Sequence, residues 1–211
     1  MKILVACEYS GVVRNAFKAK GHDVTSCDIL PADDGSKDHY QGDIKDILYD
    51  KWDMIIAHPP CTRLTNSGVC HLYNKDGSSN LAMWKDLDNG AAFFNTFLDH
   101  PCDKICIENP IPHKYAIERF TGNKKYTQII QPWMFGHTET KATCLWLKGL
   151  PLLKPTNVVN KGAIWTAKSG KRMSQWYYDS SCLPPKEREK MRNKTFQGIA
   201  DAMANQWGNV C

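Results

Sequence analysis

The 211-residue sequence predicts an α/β chain built on a mostly parallel, doubly wound sheet. Strand-like, helix-like and strand-like patterns follow one another between Lys2 and Asp28, a βαβ order that pairs parallel and crosses over right-handedly. Two later apolar runs, Asp53-Met54-Ile55-Ile56-Ala57 and Ile105-Cys106-Ile107, lack the alternation of a half-wet strand and read as strands buried on both faces. Each run ends in polar, chemically active residues, as expected where a parallel sheet presents the carboxyl ends of its strands to a ligand.

Taken in order, residues 2 to 7 form the first strand, Ser10 to Lys20 a helix that Gly21 closes, and Asp23 to Cys27 a second strand ending on Asp28. A third short strand runs into Gly42-Asp43-Ile44, followed by a helical turn to Tyr49 and the strand 53 to 57. Polar, Gly- and Ser-rich sequence from Thr65 to Asn80 has no regular period and reads as a long loop, the kind that often serves as a functional lid. Leu, Met, Trp, Ala and Phe recur at helical spacing from Leu81 to Leu98, and the strand 104 to 108 follows. Past Pro110 come a short helical piece, a strand at Tyr126 to Gln131 and another at Thr143 to Leu147, suited to an antiparallel hairpin at the sheet edge. After Pro184-Pro185 a charged helix reaches Asn193, and Thr195 then caps a last amphipathic helix, Phe196 to Trp207, expected to pack on the sheet.

Length and 42% hydrophobic content suit one domain with a substantial core. The expected division is a core over 1–150, a basic aromatic insertion over 151–194 and the terminal helix over 195–211. No apolar stretch is long enough to span a bilayer, and the start of the chain reads as a strand rather than a signal peptide, so a soluble cytoplasmic protein is expected. The cysteines number nine, an odd count in which Cys102 and Cys106 lie four apart without a second close pair, which points to buried reduced thiols and away from a disulfide framework or a structural metal. Charge is uneven: Pro151 to Thr195 holds 10 Lys and Arg against 3 Asp and Glu, leaving 17 against 19 elsewhere. Trp165, Trp176, Tyr177 and Tyr178 are interleaved with those cations, a mixture that suits phosphate neutralisation and base stacking but also a solvated basic loop.

Pro59-Pro60-Cys61 closes one buried strand and Glu108-Asn109 closes another, so thiol and carboxyl are expected to meet at one edge of the sheet. Such a pair can add a thiolate to a ring carbon while protonating the ring. Cys61 needs activation, for which a helix N-terminus, loop amides, Arg63 and His58 are the nearby sources. Desolvation after an apolar strand is expected to raise Glu108, and Asn109 to bond loop backbone and fix the geometry. On the other side of the sheet, Gly11 follows the first strand in a tight turn, and Asp28 ends the second strand where an acid suits the ribose hydroxyls of a nucleoside cofactor. Asp43 adds a polar group near an adenine pocket; Glu8 suits either that cofactor loop or a helix cap.

On these residues the chain resembles the DNA cytosine-5 methyltransferases, and more closely the short phage-encoded proteins described as cytosine-methyltransferase-like. Pro60-Cys61-Thr62-Arg63-Leu64-Thr65-Asn66-Ser67-Gly68 is similar to the family's Pro-Cys-Gln-x-Phe-Ser-x-Ala-Gly loop, Ile107-Glu108-Asn109-Pro110 to its Glu-Asn-Val motif, and Gly42-Asp43-Ile44 to its Gly-Asp-Ile. The resemblance implies a Rossmann-like S-adenosylmethionine-dependent methyltransferase fold with a small basic C-terminal insertion. It implies that Cys61, Glu108, Asn109 and Lys141 carry catalysis on a cytosine flipped out of DNA. Glu8, Ser10, Gly11, Asp28, Asp43, Pro59 and Pro60 would hold S-adenosylmethionine, and Arg63, Ser67, Lys168, Lys171 and Arg172 would touch nucleic acid. The sequence departs from the family in two motifs: Cys7-Glu8-Tyr9-Ser10-Gly11 stands for Phe-x-Gly-x-Gly, and Glu139-Thr140-Lys141-Ala142-Thr143 only shadows Gln-x-Arg-x-Arg. No stretch of these 211 residues is similar to the family's large target-recognition domain, and the basic aromatic stretch would be its minimal replacement. The alternatives are a degenerate protein that binds nucleic acid or a host factor without turnover, methylation of a free cytosine nucleotide, and amino methylation. The last rests on a superficial likeness of His58-Pro59-Pro60-Cys61 to Asp/Asn-Pro-Pro-Tyr, with both outer positions wrong.

Overall fold

The computed structural model describes residues 1–210; Cys211, the end of the expected terminal segment, lies outside them. Seven strands form one sheet in the order β3-β2-β1-β4-β5-β7-β6. They are β1 (Lys2–Ala6), β2 (Asp23–Asp28), β3 (His39–Gln41), β4 (Met54–Ala57), β5 (Ile105–Pro110), β6 (Gln128–Ile130) and β7 (Thr143–Lys148). Only β7 runs against its neighbours, pairing antiparallel with both β5 and β6, so the hairpin expected at the sheet edge is present. This is the doubly wound, Rossmann-like α/β fold expected from the sequence. Strand order reverses between β1 and β4, and ligands of such sheets bind in the crevice outside the carboxyl ends of the strands at that reversal.

Side chains of successive strand residues point to opposite faces, which divides the core in two. On one face Ile3, Val5, Met54 and Ile56 pack with Val13 and Phe17 of α1 (Val12–Lys18) and with Ile199, Met203 and Trp207 of the last helix. On the other, Leu4, Ala6, Ile55 and Ala57 meet Leu87, Phe94 and Phe97 of α3 (Leu81–Leu98), whose N-terminus Asn80 caps through its side chain. Among the described residues no helix is long and apolar enough to cross a membrane. The eight described cysteines are all free thiols.

Several boundaries differ from the expectations. The third strand lies at His39–Gln41, ahead of Gly42 rather than through it. The stretch from Thr65 to Asn80 contains a short helix, α2 (Asn66–Val69), and a Tyr73–Ser79 bridge. After β5, α4 (Lys114–Ile117) is the expected short helical piece. Residues 151 to 159 run against the core: Leu153 is buried, and the Trp207 indole donates to the Pro151 carbonyl. Beyond them comes a hairpin that periodicity did not show, β8 (Ile164–Thr166) with β9 (Arg172–Ser174), then α5 (Gln175–Ser181) and the expected charged helix α6 (Pro185–Asn193). The last helix, α7 (Gln197–Trp207), starts after Phe196, and Thr195 is not its cap. His137 takes over that duty, its Nε2 accepting from the Gly198 amide at 2.9 Å, so the Thr195 side chain is left facing a recess near Glu108 and Lys141.

Candidate active site

Ala57 of β4 lies opposite Ile107 of β5, so the first residues past the aligned apolar runs, His58 and Glu108, fall side by side. Their side chains bond, His58 Nδ1 to Glu108 Oε2 at 2.7 Å, with 10% and 15% of each exposed. One residue further along, Asn109 is buried and donates from Nδ2 to the Pro59 carbonyl at 2.9 Å. This bond ties the Pro-Pro-Cys loop to the strand that carries the carboxyl, the backbone contact expected of Asn109. Below the loop, α2 turns Gly68 against its backbone: a Cβ there would sit 2.1 Å from the Thr62 carbonyl oxygen and 2.8 Å from Arg63 Cα. Gly68→Ala is therefore expected to cost about 1–3 kcal/mol, as overpacking against rigid backbone does, seen as a lowered denaturation midpoint.

Cys61 is partly exposed and lies within the electrostatic reach of both Glu108 and Lys141. Burial, reinforced by the Glu108 charge, pushes its thiol above the ordinary value, while Lys141 and the loop amide pull the other way. The expected activation is thus not present at this site as it stands. Two of its supposed sources are otherwise engaged, Arg63 with Asp86 at 3.4 Å and His58 with Glu108. The expected rise of Glu108 is also corrected: burial does push it up, but the hydrogen bond and charge of His58, with Lys141 adding, hold it below the ordinary carboxylate value. Burial opposes a charged His58, yet its bond to Glu108 and the charges of Glu108 and Glu8 hold the imidazole above its ordinary value against Lys141. Alkylation of Cys61, followed on its own peptide by mass spectrometry, is accordingly expected to rise with pH at a midpoint above that of an exposed cysteine. Lys141→Gln removes a charge that favours the thiolate and should move that midpoint higher still.

Lys141 itself precedes β7 and donates from Nζ to the Arg192 carbonyl at 2.6 Å, near the C-terminal end of α6. That helix has no buried residue and reaches the opposite side of the crevice, where Lys190 pairs with Asp33 at 2.8 Å. Glu108, Lys141 and Thr143 share a recess with Thr195, Phe196, Ile199 and Met203.

The cofactor-side residues divide. Asp28 is half-buried at the end of β2, raised by desolvation against the pull of the Leu30 amide and His39. Gly42-Asp43-Ile44 docks beside it through the Gly42 amide on the Asp28 carbonyl at 3.0 Å, and Asp43 caps the following 3-10 turn by accepting from the Lys45 amide. Burial and the charges of Asp28 and Asp43, with Cys27, all push the Cys7 thiol up, so these groups line one neighbourhood. Ile29, next to Asp28, is 75% exposed, a large apolar side chain beside an acid. An acceptor for ribose hydroxyls flanked by an apolar face suits an adenosyl group. The exposed Ile29 carried no signal in the sequence beyond its place after Asp28. Glu8, in contrast, takes the capping role: its carboxylate accepts from the Val13 and Arg14 amides at 2.7 and 3.2 Å and from Ser10 Oγ at 3.2 Å. Gly11 has φ 71° and its open side faces the buried Arg14 guanidinium, where a Cβ would meet Nη2 at 2.3 Å. The backbone approach expected to admit a ligand is here occupied by Arg14, which also bonds Ser26 and pairs with Asp34.

Among the expected nucleic-acid contacts, Lys168, Lys171 and Arg172 are exposed at the turn of the β8–β9 hairpin. Ser67 Oγ instead bonds Thr65 Oγ1 at 3.0 Å. The interleaved aromatics mostly hold the small unit together rather than offering free faces: Trp165 stacks on Tyr178 at 4.1 Å, Trp176 leans on Phe196, and the Arg192 guanidinium covers Tyr177 at 4.0 Å.

Fold and site together define a doubly wound α/β protein whose thiol, carboxyl and imidazole gather beside the strand-order reversal. In solved structures the chain is similar to the Entamoeba histolytica methyltransferase EhMeth, at 16% identity over 78% of this chain and 58% of that one, with a TM-score of 0.45. It is also similar to a DNMT2 mutant of Spodoptera frugiperda, at 18% identity over 76% of this chain and 54% of that one, with a TM-score of 0.40. The chain thus spans little more than half the length of either protein. No family model and no curated protein matches it.

Proposed function

We propose that this protein is an S-adenosylmethionine-dependent methyltransferase of the short phage type that methylates carbon 5 of cytosine in DNA through a covalent cysteine intermediate. The observation that carries this reading is the Asn109–Pro59 bond, which clamps the Cys61 loop to the Glu108 strand and holds thiol and carboxyl in one electrostatic neighbourhood. Cys61 adds to carbon 6 of a cytosine turned out of the stack, since a ring inside the duplex is out of reach. As that bond forms, Glu108 delivers a proton to nitrogen 3, which makes carbon 5 electron-rich. Lys141 exchanges its bond to the Arg192 carbonyl for one to the base. Asp28, Asp43 and Ile29 would hold S-adenosylmethionine together with Pro59 and Pro60, and with Ser10 and Gly11 once Arg14 gives up its place against that turn; the cofactor would supply an electrophilic methyl group. A solvent water then takes the carbon 5 proton, the electron pair left behind re-forms the 5,6 double bond as the thiolate leaves, and nitrogen 3 returns its proton to Glu108.

Lys168, Lys171 and Arg172 on the hairpin, with Arg63 and Ser67 on the catalytic loop, are the residues this reading assigns to the DNA backbone. The expected result is transfer of labelled methyl from S-adenosylmethionine to cytosine-containing duplex DNA. Transfer to dCMP but not DNA would instead place the free nucleotide as the substrate, and transfer to neither would leave a binding protein.

A further inference from the structure

His58 has no role in the mechanism as written above, yet it is the residue most tightly coupled to the proposed acid. We infer, on the basis of that mechanism, that His58 and Glu108 act as one proton-carrying unit in which His58 Nδ1 stores the proton that nitrogen 3 of the pyrimidine receives. Three observations lead there. A carboxylate oxygen only accepts, so the 2.7 Å contact requires hydrogen on Nδ1. The other ring nitrogen, Nε2, is buried and has no hydrogen-bond partner among the described residues, so the ring exchanges its proton through the side that faces Glu108. The position is the strand-order reversal itself: the His58 amide bonds the Ala6 carbonyl of β1 at 2.9 Å while its side chain reaches β5.

The charged groups facing His58 are Glu108 on β5, Glu8 after β1 and Lys141 before β7; Cys61, on the loop His58 begins, faces Glu108 and Lys141. Two acids against one lysine favour an imidazolium, and Glu108 held ionised by its neighbours has no proton of its own to give. The step balances without an outside acid. As the Cys61 sulfur bonds carbon 6, the electron pair of the 5,6 double bond moves into the ring. One proton leaves His58 Nδ1, is carried by the Glu108 carboxyl and ends on nitrogen 3, leaving a neutral imidazole and a carboxylate. When the sulfur–carbon bond breaks, the same proton returns.

The test is the titration of the histidine ring resonances of the full chain, with His58 assigned through its own backbone. In the wild type His58 should titrate above the ordinary value of about 6.5, and in Glu108→Gln below it, because burial then acts with less opposition. An unchanged midpoint in Glu108→Gln overturns the inference. The second arm is the pH profile of methyl transfer, in which His58→Gln should move the falling limb at high pH to lower pH and slow transfer at pH 8 by about 10- to 100-fold. An unmoved limb overturns the inference as well. The ring titration needs neither substrate nor a His58 variant, so it decides the pairing even if His58→Gln fails to fold. Absence of transfer by the wild type would count against the methyltransferase reading, and the titration separates that failure from failure of the pair.

Discussion

Cys61→Ser is expected to reduce methyl transfer to cytosine by on the order of 10⁴-fold or more, because a hydroxyl in a partly buried site supplies almost no anion to attack carbon 6. The cost is one of chemistry rather than fold. Serine is smaller than cysteine and partial exposure lets water solvate its hydroxyl, while the Asn109–Pro59 bond and the Gly68 contact that shape the loop are untouched. Melting temperature should therefore stay close to the wild type while steady-state transfer disappears. A cysteine variant that kept transfer would remove the covalent step.

Glu108→Gln is expected to slow transfer by about 10²- to 10⁴-fold, the usual worth of a positioned acid. Glutamine keeps the shape and can still accept from His58, but it neither carries a transferable proton nor stabilises an imidazolium. The same substitution removes the charge that raises Cys61, so alkylation of that thiol at a fixed pH should become faster while catalysis becomes slower. Opposite movements in two assays on one variant are not what unfolding or general loosening would give. If both rates fall together, the carboxyl is structural.

Much of this architecture is legible in the chain because local patterns and sheet burial agree. Unbroken apolar runs at 54–57 and 105–107 declare central strands, and the polar residues after them mark the crevice. The hairpin β8–β9 was hidden because its strands are only three residues each and one side of them is wet, so neither period had room to show. The directions of Glu108 and Cys61 differ from expectation for opposite reasons. Glu108 is read from burial alone, whereas the group that decides it, His58, lies across the sheet on the next strand; Cys61 is read from the cations and amides along its own loop, whereas burial, with the Glu108 charge, decides it. The His58–Glu108 contact was available in principle, since both residues immediately follow runs that pair in register, Ala57 opposite Ile107. Thr195 misled because capping chemistry is read from the nearest hydroxyl, and an imidazole contributed from residue 137 leaves no local trace.

An oligonucleotide duplex containing 5-fluorocytosine gives the most direct measurement, because fluorine at carbon 5 cannot leave as a proton and the sulfur stays bonded to the ring. Incubated with the protein and S-adenosylmethionine, it should yield a complex that survives denaturation, whose cross-linked peptide contains Cys61 and which Cys61→Ser abolishes. Methylation of ordinary cytosine without any such complex, or a complex mapped to another of the cysteines, would contradict covalent catalysis at Cys61.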